Sequence, residues 1–165
     1  MLTIRAAGPG DAAAIMRVHR EAILLKAAGH YPRATLEAWA LGATPDRVAR
    51  VERQIADSGF VVLVAEAGGE LVGYGVAVPP QGELRALYVK PNSIGRVGRA
   101  LLSELEKLAF RTAEALTCDA SLNAAGFYRA NGYSELGETE HVLKSGASVR
   151  CMRMRKARPA AAPGG

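Results

Sequence analysis

The first third of the chain alternates between a short apolar strand and helical stretches. Leu2 to Ala6 has the pattern of a strand, glycine and proline then end it, and Asp11 is placed to cap a helix. Apolar residues of that helix share one face at Ile15, Val18, Ala22 and Leu25. Two more amphipathic stretches, 36–41 and 48–55, predict helices that cover one side of a sheet.

The middle of the chain changes to strand patterning. The run FVVLVAEA from Phe60, a turn at Gly68-Gly69 and the run LVGYGVAV predict a β-hairpin. A turn at 79–82 leads to a third strand, ELRALYV, which completes an antiparallel meander. Beyond it, leucines at helical spacing predict a long helix over 99–113.

The last third predicts a short strand at 115–119, a short helix at 121–130 and a final hairpin with the strands YSELGETEHVL and ASVRCMRM. This order of elements predicts a mixed α/β fold of the α+β kind, with a central, mostly antiparallel twisted sheet of about seven strands flanked by helices. A single domain is expected over 1–156. The Pro/Ala/Gly-rich tail at 157–165 is expected to be disordered.

Composition fits one globular domain. The 165 residues suffice for a single filled core, and 49% of them are apolar while 22% are charged. The N-terminal stretch lacks the apolar core of a signal peptide, and the longest strongly apolar run, Phe60 to Ala65, is too short to cross a bilayer. We therefore expect a cytoplasmic protein with no membrane partner.

The net charge of +5 raises the question of a nucleic-acid partner. Basic residues crowd the last strand and the tail, but no aromatic-rich basic groove accompanies them, so a small anionic partner is favoured over nucleic acid. Salt-sensitive binding of RNA or DNA remains the competing hypothesis. The two cysteines and three histidines lack ligand spacing, which predicts structural thiols and no metal site.

The most informative stretch is LYVKPNSIGRVGRALL, residues 87–102, where a strand ends and a helix begins. The unpaired N–H groups of the first helical turn and the positive end of the helix dipole suit a pyrophosphate. Gly95 and Gly98 allow close backbone approach, and Arg96 and Arg99 add positive charge. The alternative is an ordinary strand-to-helix connection in which glycine serves packing, because isolated glycine motifs are weak signals.

This stretch resembles motif A of the GNAT N-acetyltransferases, in which V-x-P is followed by Q/R-x-x-G-x-G/A and A-L-L. The downstream SLNAAGFYRANGY, residues 121–133, resembles the S-x-N-A-x-x-F-Y-x-x-x-G-[FY] segment of the same superfamily. Motif A is degenerate here: Ser93 takes the Q/R position, Arg96 replaces the first glycine, and the loop after Pro91 is one residue short. Gly98 keeps its place.

The resemblance implies a GNAT fold whose sheet is splayed in the middle to admit the pantetheine arm of acetyl-CoA, the expected cosubstrate. A backbone N–H of Leu87 or Val89 would polarise the thioester carbonyl. The cofactor-binding residues implied by the resemblance are Leu87, Tyr88, Val89, Gly95, Arg96, Val97, Gly98, Arg99, Ala100, Asn123 and Tyr128.

Two residues are candidates for proton transfer. Tyr128 matches the family tyrosine that protonates the leaving thiolate, although Phe127 and Tyr128 would also be explained by packing of a short helix. Glu83, six residues before Val89, matches the position of the general base in protein-acetylating members, with a water chain as the alternative. His30, Tyr31, Trp39 and Tyr74 are candidates for the acceptor pocket.

The expected function is transfer of the acetyl group of acetyl-CoA to a primary amine of a small molecule or peptide, by direct attack in a ternary complex. A non-catalytic acetyl-CoA-binding or sensing module is the alternative, motivated by the degenerate motif A. The strand-rich C-terminus also suggests a homodimer, because an exposed strand can pair with a second copy.

Overall fold

The computed structural model describes residues 1–93 and 96–161. The strands are β1 (Leu2–Ala6), β2 (Val61–Ala67), β3 (Glu70–Val78), β4 (Glu83–Val89), β5 (Ala115–Ser121), β6 (Ser134–Val142) and β7 (Ser148–Ala157). The helices are α1 (Ala12–Lys26), α2 (Arg33–Trp39), α3 (Pro45–Ala56), α4 (Val97–Ala109) and α5 (Ala125–Ala130). No helix among the described residues is long and apolar enough to cross a membrane.

The seven strands form one sheet in the order β1-β2-β3-β4-β5-β7-β6. Neighbouring strands are antiparallel except β4 and β5, which run parallel. The predicted hairpins and the antiparallel meander are therefore confirmed, as is the mixed α/β class with a mostly antiparallel sheet flanked by helices.

The two faces of the sheet carry separate cores. Helix α4 packs on one face, where Leu101 and Leu105 are fully buried. Helices α1 and α3 pack on the other face, where Ile15 and Val51 meet Tyr74. The sheet therefore separates α4 from α1 and α3.

Two glycines of β3 let α4 lie close to the sheet. A Cβ added at Gly73 would lie 2.9 Å from Leu101 Cδ1 and 3.2 Å from the carbonyl oxygen of Tyr88, and one added at Gly75 would overlap Leu105 Cδ1. Real Cβ atoms do not approach other atoms so closely, because packing at native density leaves no overlap. The close approach sets α4 over β3, next to β4, the strand that precedes it in sequence.

The structure differs from the sequence-based expectation at Asp11 and at α5. The Asp11 side chain makes no cap bond to α1; it binds Arg5 at 2.8 Å and accepts the Gly8 N–H at 2.7 Å. Helix α5 begins at Ala125, four residues later than predicted, because β5 continues to Ser121 and pairs there with β7.

The end of β7 lies beside the start of β5. Strand β7 includes Ala157, and the Arg158 N–H donates to the carbonyl oxygen of Glu114 at 2.7 Å. The domain limit at 156 and the disorder of the tail stay predictions.

Candidate active site

The parallel pair at the centre of the sheet is open along most of its length. Strands β4 and β5 are in register only at Glu83 and Thr117, where the Thr117 N–H donates to the carbonyl oxygen of Gly82 at 2.8 Å. Beyond that point β5 pairs only with β7. The two strands therefore part toward their C-terminal ends, and a cavity of about 1080 Å³ occupies the gap and its mouth.

The backbone of β4 presents unpaired groups to this gap. The Lys90 N–H donates to the carbonyl oxygen of Val72 at 2.8 Å, so the backbone groups of Lys90 face β3. The direction of the backbone groups alternates along an antiparallel strand. The groups of Tyr88 therefore also point toward β3, whereas those of Leu87 and Val89 point away from β3. The N–H and C=O groups of Leu87 and Val89 thus face the open side of the strand.

The N-terminus of α4 stands at the end of β4. The N-cap is Arg96, whose carbonyl oxygen accepts the Ala100 N–H at 2.9 Å. The N–H groups of Val97, Gly98 and Arg99 belong to the first turn of α4 and precede this bond, and N–H groups at such positions lack an acceptor within the helix. The arginines at 96 and 99 are exposed, whereas Val97 is buried.

Gly98 lies at the junction of three elements. A Cβ added there would lie 3.5 Å from the Phe127 ring and 3.6 Å from Val89 Cγ2. These are ordinary contacts, so α4, β4 and α5 meet at this glycine with space for a small side chain. Gly95, the other predicted phosphate-turn glycine, lies outside the described residues.

Tyr128 forms part of the wall of the gap. It is buried on α5, with its ring edge-on to Phe127 at 5.3 Å and to Tyr133 at 5.4 Å. It lines the cavity together with Leu87 and Cys118. Burial raises the pKa of the Tyr128 phenol well above its ordinary value, with smaller effects from Cys118 and Tyr88, so the group is protonated at neutral pH.

Glu83 lines the same cavity at its narrow end, where β4 and β5 still pair. Its two carboxylate oxygens accept from Arg85, Nη2 to Oε2 at 2.7 Å and Nε to Oε1 at 3.1 Å. This hydrogen bonding raises the pKa of Arg85 above its ordinary value. Glu83 must release Arg85 before both oxygens are available to another proton donor.

The remaining predicted residues occupy different places. Asn123 is exposed in the turn before α5, outside the cavity lining. Trp39 lines the cavity, edge-on to Tyr88 at 6.4 Å. Tyr74 is buried behind Tyr88, on which its ring stacks at 5.6 Å, and the Tyr31 hydroxyl accepts the Leu122 N–H at 2.9 Å.

Sequence reasoning missed several residues that line the cavity. They are His19 from α1, Arg47 and Arg50 from α3, Asp119 and Arg153 from the β5–β7 pair, and His141, Lys144 and Ser145 from the β6–β7 hairpin. The alternation of apolar and polar residues along β5 and β7 could have predicted that Asp119 and Arg153 share the polar face of this pair. The approach of α3 to the gap had no signal in the sequence, because amphipathicity tells only which face of a helix is buried.

Comparison with known proteins agrees with this geometry. The family model of the acetyltransferase (GNAT) domain matches residues 27–157. A GCN5-related N-acetyltransferase from Rhodopseudomonas palustris has 33% identity and a TM-score of 0.79, with 94% of each chain covered. A ribosomal-protein-alanine N-acetyltransferase from Brucella melitensis has 28% identity and a TM-score of 0.68, covering 94% of this chain and 99% of its own.

The protein yncA from Salmonella typhimurium, solved with its cofactor acetyl-CoA, has 25% identity and a TM-score of 0.69, covering 100% of this chain and 98% of its own. A comparison with curated protein sequences finds no significant match. The family model spans most of the chain, and the Rhodopseudomonas relative covers nearly all of it at substantial identity. The chain therefore belongs to the GNAT family of N-acetyltransferases.

Proposed function

We propose that the protein transfers the acetyl group of acetyl-CoA to a primary amine of a small molecule or peptide, by direct attack in a ternary complex. The observation that carries the proposal is the gap between β4 and β5, with the backbone of Leu87 and Val89 facing it and Tyr128 in its wall. The protein yncA has the same fold, and its structure contains acetyl-CoA, which supports the proposal.

Acetyl-CoA would enter between the parted strands. The pantetheine arm would form hydrogen bonds with the backbone N–H and C=O groups of Leu87 and Val89. The backbone groups of Tyr88 would keep β4 bonded to β3. The diphosphate would lie on the N–H groups of Val97, Gly98 and Arg99, with Ala100 beside it, because these three donors and the helix dipole favour an anion. Arg96 and Arg99 would add charge, with Gly95 and Asn123 as further proposed contacts.

Groups of this chain stabilise the charge and transfer the protons at each step of the proposed reaction. The amine nitrogen attacks the thioester carbonyl carbon, and the carbonyl oxygen, as it gains charge, is held by an N–H of Leu87 or Val89. The carbon–sulfur bond then breaks, and Tyr128 donates its proton to the departing thiolate. Glu83, once released from Arg85, accepts the proton that the amine loses, and the products are CoA and an acetylated amine. Proton exchange with solvent then returns the proton to Tyr128 and removes the proton from Glu83.

A thiol-release assay over a broad amine panel tests the function, with products identified by mass. We expect CoA release that depends on an amine, together with an acetylated product, because the open gap offers both substrates one cavity. Thermal unfolding with and without acetyl-CoA is measured in parallel, since a ligand that binds the folded state raises the melting temperature. Stabilisation without amine-dependent CoA release would favour the non-catalytic binding module instead.

The role of Glu83 is tested by Glu83→Gln. We expect kcat/KM for the amine to fall by about tenfold or more, because a positioned base contributes at least that much to proton transfer, while KM for acetyl-CoA stays unchanged. Glu104→Gln, on the exposed side of α4, is the matched control and should behave as wild type. Unchanged activity of Glu83→Gln would assign proton removal to a water chain.

Localisation and assembly stay predictions. The cytoplasm is proposed from the sequence pattern alone. Strand β6 is an edge strand of the sheet and nearly all of it is exposed, which is compatible with pairing to a second copy.

A further inference from the structure

The cavity carries positive charge that its own acids do not compensate. Arg85 is paired with Glu83 at 2.7 Å, and Arg153 is paired with Asp119 at 2.9 Å. Among residues 1–93 and 96–161, no ion pair involves the other charged groups of the lining. These other groups are three cations and one acid: Arg47, Arg50, Lys144 and Asp46.

Arg47 is the cation most deeply set in this wall. It lies in the first turn of α3 and is half-buried, and its Nε atom is buried without a hydrogen-bond partner among the described residues. Burial, and then the positive charge of Arg50, lower the pKa of Arg47 below its ordinary value. A buried donor without an acceptor is costly, so an acceptor brought by a ligand would be favourable here.

The neighbours of Arg47 show on which face of the sheet it lies. Burial lowers the pKa of His19, with a smaller effect from Arg47, to about 4. His19 is therefore neutral at pH 7, and its Nδ1 is also buried with no hydrogen-bond partner in the part of the chain that the structure describes. His19 packs edge-on to Tyr88 at 4.7 Å, and Tyr88 packs with the α1 and α3 core.

That core lies on the face of the sheet opposite α4. The phosphate-binding turn at the N-terminus of α4 is thus separated from Arg47 by the sheet. The anion that Arg47 and its neighbours would bind is consequently not the diphosphate of the coenzyme. It belongs to the molecule that approaches the gap from the α1 and α3 side.

We propose that the acceptor is an amino acid or a similar small amine that also bears a carboxylate, and that Arg47 binds this carboxylate with Arg50 at the cavity mouth. This inference rests on the proposed function. The planar fork of a guanidinium matches the two oxygens of a carboxylate, which a lysine does not reproduce. Trp39 and Leu41 supply an apolar wall beside it for a side chain. Polycationic amines are disfavoured by the same uncompensated charge.

The experiment measures kcat/KM for matched pairs of amines: free amino acids, the corresponding carboxamides, and aminophosphonates of the same skeleton. We expect the carboxylates to exceed the carboxamides by about 10- to 100-fold, the usual effect of one charge-assisted bidentate contact. Arg47→Met should remove that preference by lowering kcat/KM for the carboxylates to the level of the carboxamides, and Arg47→Lys should restore part of it. Arg53→Met, exposed on the same helix and outside the cavity lining, is the matched control and should keep the full preference.

Three results would overturn the inference. Equal turnover of acids and carboxamides by the wild type would leave the acetyltransferase function standing and remove the carboxylate site. A preference for phosphonates would replace the carboxylate by another anion. If no amine of any series releases CoA while acetyl-CoA still stabilises the protein, the proposed function fails first and the inference fails with it. Should Arg47→Met not fold, the wild-type ratio of acid to carboxamide still decides.

Discussion

Replacement of Tyr128 by phenylalanine is expected to lower kcat by about 100-fold or more, which lies at the low end of what a positioned general acid contributes. The ring keeps its edge-on contacts with Phe127 and Tyr133, so the packing of α5 is retained. Only the hydroxyl is lost, and the thiolate then departs without a proton. KM for acetyl-CoA should stay within about twofold of wild type, because the hydroxyl acts in the transition state.

The pH dependence follows from the direction of the Tyr128 shift. Burial raises its pKa, so the phenol keeps its proton above the pH at which an exposed tyrosine, with a pKa of about 10, would lose it. We expect no fall of kcat from loss of this proton between neutral pH and about pH 10.

Tyr133→Phe is the matched control for Tyr128→Phe. Tyr133 is buried in the same ring cluster but outside the cavity lining, so its variant should keep wild-type kcat. Steady-state kinetics and thermal unfolding of both variants distinguish lost chemistry from lost packing. Wild-type turnover by a fully folded Tyr128→Phe protein would remove Tyr128 from the mechanism.

Gly98→Asp is expected to raise KM for acetyl-CoA by about 100-fold or more. A carboxylate in the first turn of α4 would lie among the donors proposed for the diphosphate, and two unit charges about 4 Å apart repel by about 4 kcal/mol at an effective dielectric constant of about 20. The free protein should be as stable as wild type or slightly more so, since an acid near a helix N-terminus contributes about 0.3–1 kcal/mol. Stability and cofactor binding should thus change in opposite directions.

The variant Gly98→Ala is the control for Gly98→Asp, because it adds a side chain at this position without adding a charge. Its Cβ would make ordinary contacts with Phe127 and Val89, so the protein should fold and KM should change only modestly. Thermal unfolding of both variants, with and without acetyl-CoA, measures the two effects together. Wild-type stabilisation of Gly98→Asp by acetyl-CoA would place the diphosphate away from this helix.

Much of the site could be predicted because it consists of local sequence. Residues 87–102 contain both the strand whose backbone faces the gap and the helix whose N-terminus follows it. The match to motif A therefore located Leu87, Val89 and Gly98 even though Arg96 replaces a usual glycine. The Glu83 to Arg85 pair was also within reach, because residues two apart on a strand share one face.

Other features depended on contacts between distant segments. His19 and Arg47 reach the cavity from two helices, and no spacing in the chain connects them with Tyr128. The Tyr31 hydroxyl accepts the N–H of Leu122, a contact between residues far apart in the chain, and the role of Tyr31 in the acceptor pocket stays a prediction. The length and face of a helix follow from local periodicity, whereas its docking position depends on packing against the whole sheet.

By itself the sequence determined the order of strands and helices, the meander and the start of a helix soon after β4, because hydrophobic period, turn residues and helix starts are encoded over a few positions. The tertiary structure decided that β4 and β5 meet only at Glu83 and Thr117 and then part. It also decided which side chains line the opening and which charged groups there have no ion-pair partner among residues 1–93 and 96–161. These properties arise from strand register and helix docking between residues far apart in the chain, and no local pattern specifies them.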